Sequence, residues 1–224
     1  MLKLGVVSGM GPFAANFFIK RVLEITDAPK EWDHFRIFAD YNVYIPSRTR
    51  ALLFDEASPA PGIIETINGL ENMGADIVAV PCNSAHGWYD EVSKSINIPW
   101  IDMISITSNE VVSSGINKCL LFSAYVPTKL KLYEKYIDVE YPCEEDKKKT
   151  YELIERLKVG EDREIIKNEF YDIVKCYDDT CDGVITACTE LSMLFSSNDH
   201  KFGKFELIDS TNVYAKYCVK ICKG

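Results

Sequence analysis

ADIVAVPCNSAHGWYDEV, residues 75–92, decides the fold. An apolar, β-branched run stops at a proline and a cysteine and passes straight into a segment with helical spacing of apolar residues. The run is apolar at consecutive rather than alternate positions, the pattern of a parallel strand covered on both faces. Six further stretches read the same way: KLGVVS (3–8), FRIFAD (35–40), PWID (99–102), KCLLFS (118–123), DGVITA (182–187) and FELID (205–209). Among them lie AANFFIKRVLEIT (14–26), APGIIETINGLENMG (60–74), AHGWYDEVSKSI (85–96) and TKLKLYEKYI (128–137), each with apolar residues at i, i+3 and i+4. Strands alternating with helices predict an α/β doubly wound architecture. EEDKKKT (144–150) reads as a solvated helix start.

The plan is used twice. Cys82 ends one apolar strand and Cys188, 106 residues later, ends another. Downstream, IPWIDMISITSNEVV (98–112) matches KFELIDSTNVYAKYC (204–218), with Asp102 and Asp209, 107 residues apart, each following a short apolar strand. Upstream, KLGVVSGMGP and KCLLFSAYVP align from Lys3 and Lys118 to Pro12 and Pro127. Three matches in the same order predict two halves of one design, each with a cysteine at the end of its third strand.

Composition bounds what the halves do. The 224 residues suffice for one large α/β domain or two smaller ones, and 47% hydrophobic with 26% charged residues is an ordinary globular balance. A net charge of −9 argues against nucleic-acid and anionic-membrane partners, while a local Arg or Lys can still invert the field inside a cleft. No apolar run is long enough to span a bilayer and no secretion signal follows Met1, so we expect a cytoplasmic protein with reduced thiols. The eight cysteines and three histidines follow no zinc spacing, so no metal is expected.

In open α/β sheets ligands sit beyond the carboxyl ends of the strands. A cysteine there meets helix N-termini and free backbone N–H groups, which favour the thiolate. Two halves facing one cleft present a thiol to each side of a bound molecule. The chemistry that needs this is two-sided proton transfer at carbon, one thiolate removing a proton and the opposite thiol returning one. A lone free cysteine is more often a small buried hydrophobe. We take that reading for Cys119, Cys143, Cys176, Cys181, Cys218 and Cys222, and the paired placement reverses it for Cys82 and Cys188.

PCNSAH (81–86), ITACTELSML (185–194), GMGPFAA (9–15) and IPSRTRALL (45–53) together resemble the aspartate/glutamate racemase family, most closely its cofactor-independent aspartate racemases. Glu190 follows Thr189 as in the aspartate branch, where the glutamate branch has histidine. Ser84 and Ala187 are small departures from the family pattern, and SAYVPTK (123–129) is a larger one, standing where a Thr/Gly-rich loop is usual. The resemblance implies two similar Rossmann-like domains related by a pseudo-twofold axis, with mostly parallel sheets and the active site in the cleft between them. We expect them over residues 1–102, completed by the C-terminal helix at 208–224, and over 103–207. It further implies Cys82 and Cys188 as the catalytic pair, aspartate or a similar dicarboxylic amino acid as substrate, no cofactor, and a homodimer.

Other residues are weighed singly. GMGPFA is formally a dinucleotide fingerprint, yet Pro12 lacks an N–H that a pyrophosphate would use and suits a first helical turn instead. We read Met10 and Gly11 as a close backbone wall of the cleft. Arg48 is placed in the loop after the second strand; alone it would be a surface arginine, and the motif match makes it a carboxylate clamp. Asn83, Ser84 and Thr189 flank the thiols, capping helices or holding a substrate carboxylate through backbone N–H groups. Lys158 resembles by position a substrate-binding lysine of aspartate racemases. His86 and Glu190 are read as tuning or capping groups rather than catalysts. A dicarboxylate-binding or thiol-sensing protein, or a thiol-based decarboxylase or isomerase, is the competing expectation; the two thiols with a candidate Arg favour the racemase.

Overall fold

Two parallel sheets carry the chain in a computed structural model describing residues 1–224. The first is built from β1 (Leu4–Ser8), β2 (Ile37–Tyr41) and β3 (Ile77–Ala79) in the order β2-β1-β3. The second takes β4 (Cys119–Ser123), β5 (Gly183–Ala187), β6 (Lys201–Phe202) and β7 (Phe205–Asp209) in the order β4-β5-β7-β6, with only the short β6 antiparallel. Helices α1 (Pro12–Ile25), α2 (Arg48–Phe54), α3 (Ala60–Asn72), α4 (Tyr89–Ser93) and α5 (Met103–Ser113) belong to the first half of the chain. The second half contributes α6 (Tyr125–Lys129), α7 (Glu144–Lys158), α8 (Arg163–Val174), α9 (Thr189–Ser192) and α10 (Ser210–Lys223).

Both faces of β1, β3, β4 and β5 are covered, which is why these strands are apolar nearly throughout, while the edge strand β2 is only partly buried. Val7, Val78 and Val80 pack with Ile63, Ile67 and Leu70 of α3 on one side. Leu4 and Val6 meet Phe18 and Val22 of α1, with Tyr214 and Cys218 of α10, on the other. In the second sheet Leu120, Phe122 and Val184 pack with α7 and α8, and Leu121, Ile185 and Ile208 with Ile104 and Val111 of α5. Each fully buried aliphatic or aromatic side chain is worth about 1.5–3 kcal/mol relative to exposure.

The helices after the two matching Asp residues are therefore exchanged. α5 leaves the first sheet to cover the second, and α10 leaves the second to cover the first. Tyr214 fixes the return: its buried hydroxyl donates to the Ile101 carbonyl at 2.6 Å and accepts from the Val80 N–H at 3.1 Å. Removing that hydroxyl would leave both backbone groups buried and unpaired, at about 1–3 kcal/mol.

Several expectations need correction. PWID forms one bridge, Trp100 to Val78, because Pro99 has no N–H to donate and Asp102 already caps α5. The counterpart of β2 in the second half is likewise one bridge, Glu140 to Leu120, so Cys188 follows that half's second regular strand rather than its third. With the bridges counted, four positions of the two sheets match in order, and only the antiparallel β6 has no counterpart. TKLKLYEKYI is not a helix: α6 ends at Lys129, Lys131 is left-handed at φ 52°, and a 3-10 turn follows. Burial of Tyr133 in the core, its hydroxyl donating to Asn83 Oδ1 at 2.6 Å, outweighs the local helical pattern. AHGWYDEV begins as a 3-10 turn over Asn83–Trp88 before α4. Cys143 and Cys176 are exposed rather than buried, Cys143 at the N-cap of α7 and Cys176 in the turn after α8.

Candidate active site

Each cysteine sits at the N-cap of a short helical turn, in extended backbone, directly beyond a central strand of its sheet. Cys82 follows β3 and Cys188 follows β5. Both are almost fully buried, and both line one cleft of about 240 Å³ between the sheets. The volume lies below the roughly 300–1,000 Å³ usual for drug-sized ligands and suits a small amino acid.

All eight residues singled out from the sequence line this cleft: Cys82, Cys188, Met10, Arg48, Asn83, Ser84, Lys158 and Thr189. Gly11, read with Met10 as a wall of the cleft, lines it too, and seven more that had not been chosen join them: Gly9, Ser47, Thr49, Ala124, Ile154, Ala187 and Glu190. Gly9 had a signal. It closes β1 at φ +95°, and a Cβ there would lie 2.5 Å from the Asn42 carbonyl oxygen.

The residues after the thiols brace the two halves rather than cap their own helices. Asn83 Nδ2 donates to Ser210 Oγ at 3.2 Å while its Oδ1 accepts from Tyr133. Thr189 Oγ1 donates to the Pro81 carbonyl at 2.9 Å. The side chains of Asn83 and Thr189 are thus engaged, leaving their backbone N–H groups to offer a carboxylate, while Ser84 lines the cleft with its hydroxyl uncommitted.

Arg48 is the first residue of α2, capped by Ser47, and not a loop residue. Its guanidinium donates to the Met10 carbonyl at 3.1 Å and the Pro46 carbonyl at 3.2 Å, tying the glycine turn to the head of α2. Its Nε is buried without a partner, a donor lacking an acceptor. Lys158, at the exposed end of α7, donates to Glu155 at 2.6 Å. Partial burial works against its charge, yet Glu155, Glu190 and Cys188 together hold its ammonium above the ordinary lysine value.

Glu190, set aside on the sequence, touches a thiol. The Cys188 Sγ–H donates to Glu190 Oε2 at 3.1 Å. Burial first, and then the Glu190 carboxylate, push the Cys188 thiol well above its ordinary value, against the pull of the Glu190 backbone N–H and Lys158. The other carboxylate oxygen lies 3.2 Å from where a Cβ on Gly11 would stand, so the first half's glycine turn closes over it. His86 stays out of the cleft, its ring between the Cys82 carbonyl and the Met103 N–H.

Comparison with known proteins matches this arrangement along nearly the whole chain. A family model described as Asp/Glu/Hydantoin racemase covers residues 7–218. The chain is 23% identical over 226 residues to the broad specificity amino-acid racemase RacX of Bacillus subtilis (strain 168), covering 96% of each. Among solved structures it resembles the aspartate racemase of Picrophilus torridus, with a TM-score of 0.88, 26% identity, and 99% and 94% of the two chains covered. An aspartate racemase homologue from Pyrococcus horikoshii OT3 shares the fold at a TM-score of 0.76 and 22% identity, with both chains covered in full.

Proposed function

The chain belongs to the Asp/Glu/hydantoin racemase family, and from that premise we propose that it interconverts L- and D-aspartate, with related amino acids admitted, through the thiols of Cys82 and Cys188. One observation carries the reading: matching strand ends of two matching sheets open onto one small cleft, each bearing a cysteine.

The surroundings of Cys188 support one division of roles between the thiols. Cys188, buried and hydrogen-bonded to a carboxylate, holds its proton and is the acid. Cys82 is then the base. Its thiolate takes the Cα proton from one face, the bonding pair passes into the carboxylate-stabilised carbanion, and the Cys188 Sγ–H bond delivers a proton to the other face. Cys82 ends as thiol and Cys188 as thiolate, and exchange with solvent restores the starting state. Glu190 receives the returning proton's hydrogen bond.

The carbanion is stabilised by preorganised donors: backbone N–H groups after each cysteine and the cations at the rim. The unpaired Arg48 Nε supports a side-chain carboxylate as its acceptor, which favours aspartate. The broad specificity of the Bacillus subtilis relative supports a wider substrate range beside it.

Optical rotation of L-aspartate incubated with the protein tests the reading, using Cys82→Ser and Cys188→Ser as controls. Rotation should decay to zero with the native protein, and each variant should be slower by several orders of magnitude, because an alkoxide is far harder to form than a thiolate. Near-normal turnover in either variant removes that cysteine from the mechanism. Binding of aspartate without loss of rotation would instead favour a dicarboxylate-binding protein.

A further inference from the structure

Four residues beyond each cysteine stands a buried polar side chain with no role in the chemistry above, His86 after Cys82 and Ser192 after Cys188. Their bonds follow one plan. His86 Nε2 accepts from the Met103 N–H at 3.1 Å, so it carries no proton, and Nδ1–H donates to the Cys82 carbonyl at 3.0 Å. In the second half the Ser192 N–H donates to the Cys188 carbonyl at 3.2 Å, and its hydroxyl donates to Asp209 Oδ1 at 2.5 Å. The two links end on different groups, the Met103 N–H and the Asp209 carboxylate, at the heads of equivalent helices. Asp102 Oδ1 caps α5 through the N–H groups of Ile104 and Ser105, at 2.9 and 3.2 Å, and Asp209 Oδ1 caps α10 through those of Thr211 and Asn212 at the same two distances.

Each cysteine's backbone is thereby tied to the start of the helix that crosses to the other sheet. We propose that His86 and Ser192 are paired positioning residues, His86 setting the Cys82 turn through the head of α5 and Ser192 setting the Cys188 turn through Asp209 at the head of α10. Each serves one thiol. The inference rests on the two-thiol reading, and it gives the matching Asp residues, 20 and 21 residues beyond the two cysteines, one shared purpose. A sub-ångström shift of either turn misplaces a sulfur that must meet Cα on its own face.

The test reads the thiols one at a time, in the full chain. Native protein, Ser192→Ala, His86→Gln and Asp209→Asn are alkylated with iodoacetamide across pH, and the rates at Cys82 and Cys188 are resolved by peptide mass spectrometry. Racemisation of aspartate is measured alongside. Ser192→Ala should change the Cys188 rate roughly tenfold, the factor that about 1.4 kcal/mol of lost hydrogen bonding represents, and leave Cys82 unchanged. It should lower kcat more than it raises KM. His86→Gln should do the reverse between the thiols. Asp209→Asn, which keeps an oxygen for Ser192 and for the cap, should behave as native. Equal shifts at both thiols, or none at either, would overturn the inference. Retained racemisation in the Cys82→Ser or Cys188→Ser variant would instead overturn the two-thiol reading, so the two failures are distinct. Should His86→Gln fold poorly, the contrast between Ser192→Ala and Asp209→Asn decides alone.

Discussion

The Cys188 thiol points at Glu190 Oε2, 3.1 Å away, and no equivalent carboxylate contact is made by Cys82. The two otherwise matching turns are thus electrically different. That difference is what the proposed assignment of Cys188 as the resting acid rests on.

Glu190→Gln keeps an acceptor but removes the charge that holds the proton on Cys188. The Cys188 pKa should fall, since a neighbouring negative charge raises it. The limb of the kcat/KM profile that reports loss of the Cys188 proton should therefore move to lower pH. Iodoacetamide should label Cys188 faster at neutral pH. An unmoved profile with unchanged labelling would dissociate Glu190 from the thiol.

Arg48→Ala should cost aspartate roughly 2–4 kcal/mol in kcat/KM, as expected for a charge-assisted contact in a partly desolvated site. Alanine, with no second carboxylate, should lose far less. Equal losses would mean that Arg48 meets the α-carboxylate or acts only by holding the Met10 carbonyl.

Asp209 gives a pH dependence of stability. Burial pushes its carboxyl up to about 6, against the hydrogen bonds from Ser192, Asn212 and Thr211 and the charge of Arg21. Its folded pKa stands above the unfolded value, so the folded chain binds the extra proton. Its contribution is present in full below about pH 4 and is lost as pH rises through about 6. Asp209→Asn should therefore raise Tm relative to native more at pH 8 than at pH 4.5. A difference independent of pH would contradict the assignment.

The proposed two-thiol chemistry calls on no cofactor. Dialysis against EDTA and treatment with hydroxylamine should leave racemisation intact, while iodoacetamide should abolish it with aspartate protecting. Loss to EDTA or hydroxylamine without loss to alkylation would exclude the mechanism.

How far these features could be read in the chain depends on which force fixes them. The inner strands and the positions of Cys82 and Cys188 are legible because burial on both faces makes β1, β3, β4 and β5 nearly continuous apolar runs. The Asp102 and Asp209 caps are legible because the halves repeat. Glu190 reads from the sequence as a tuning or capping group and no more, because residues two apart do not face each other on a helix. Cys188, however, is extended at φ −146° and ψ 127°, so its side chain and that of Glu190 can meet. TKLKLYEKYI misleads because the demand to bury Tyr133 against Asn83 is tertiary and leaves no periodic trace. The exchange of α5 and α10 is equally invisible to local pattern, since each helix would be amphipathic against either sheet.

The isotopic fate of the Cα hydrogen at early conversion tests the central claim most directly. L-aspartate is incubated in D₂O, and product and remaining substrate are separated and examined for deuterium at Cα. With one thiol abstracting and the other donating, the D-aspartate formed should carry deuterium while the unconverted L-aspartate stays protiated. D-aspartate that retains the original hydrogen, or L-aspartate that exchanges as fast as product appears, would mean that a single group carries the proton, and the opposed pair of Cys82 and Cys188 would be wrong.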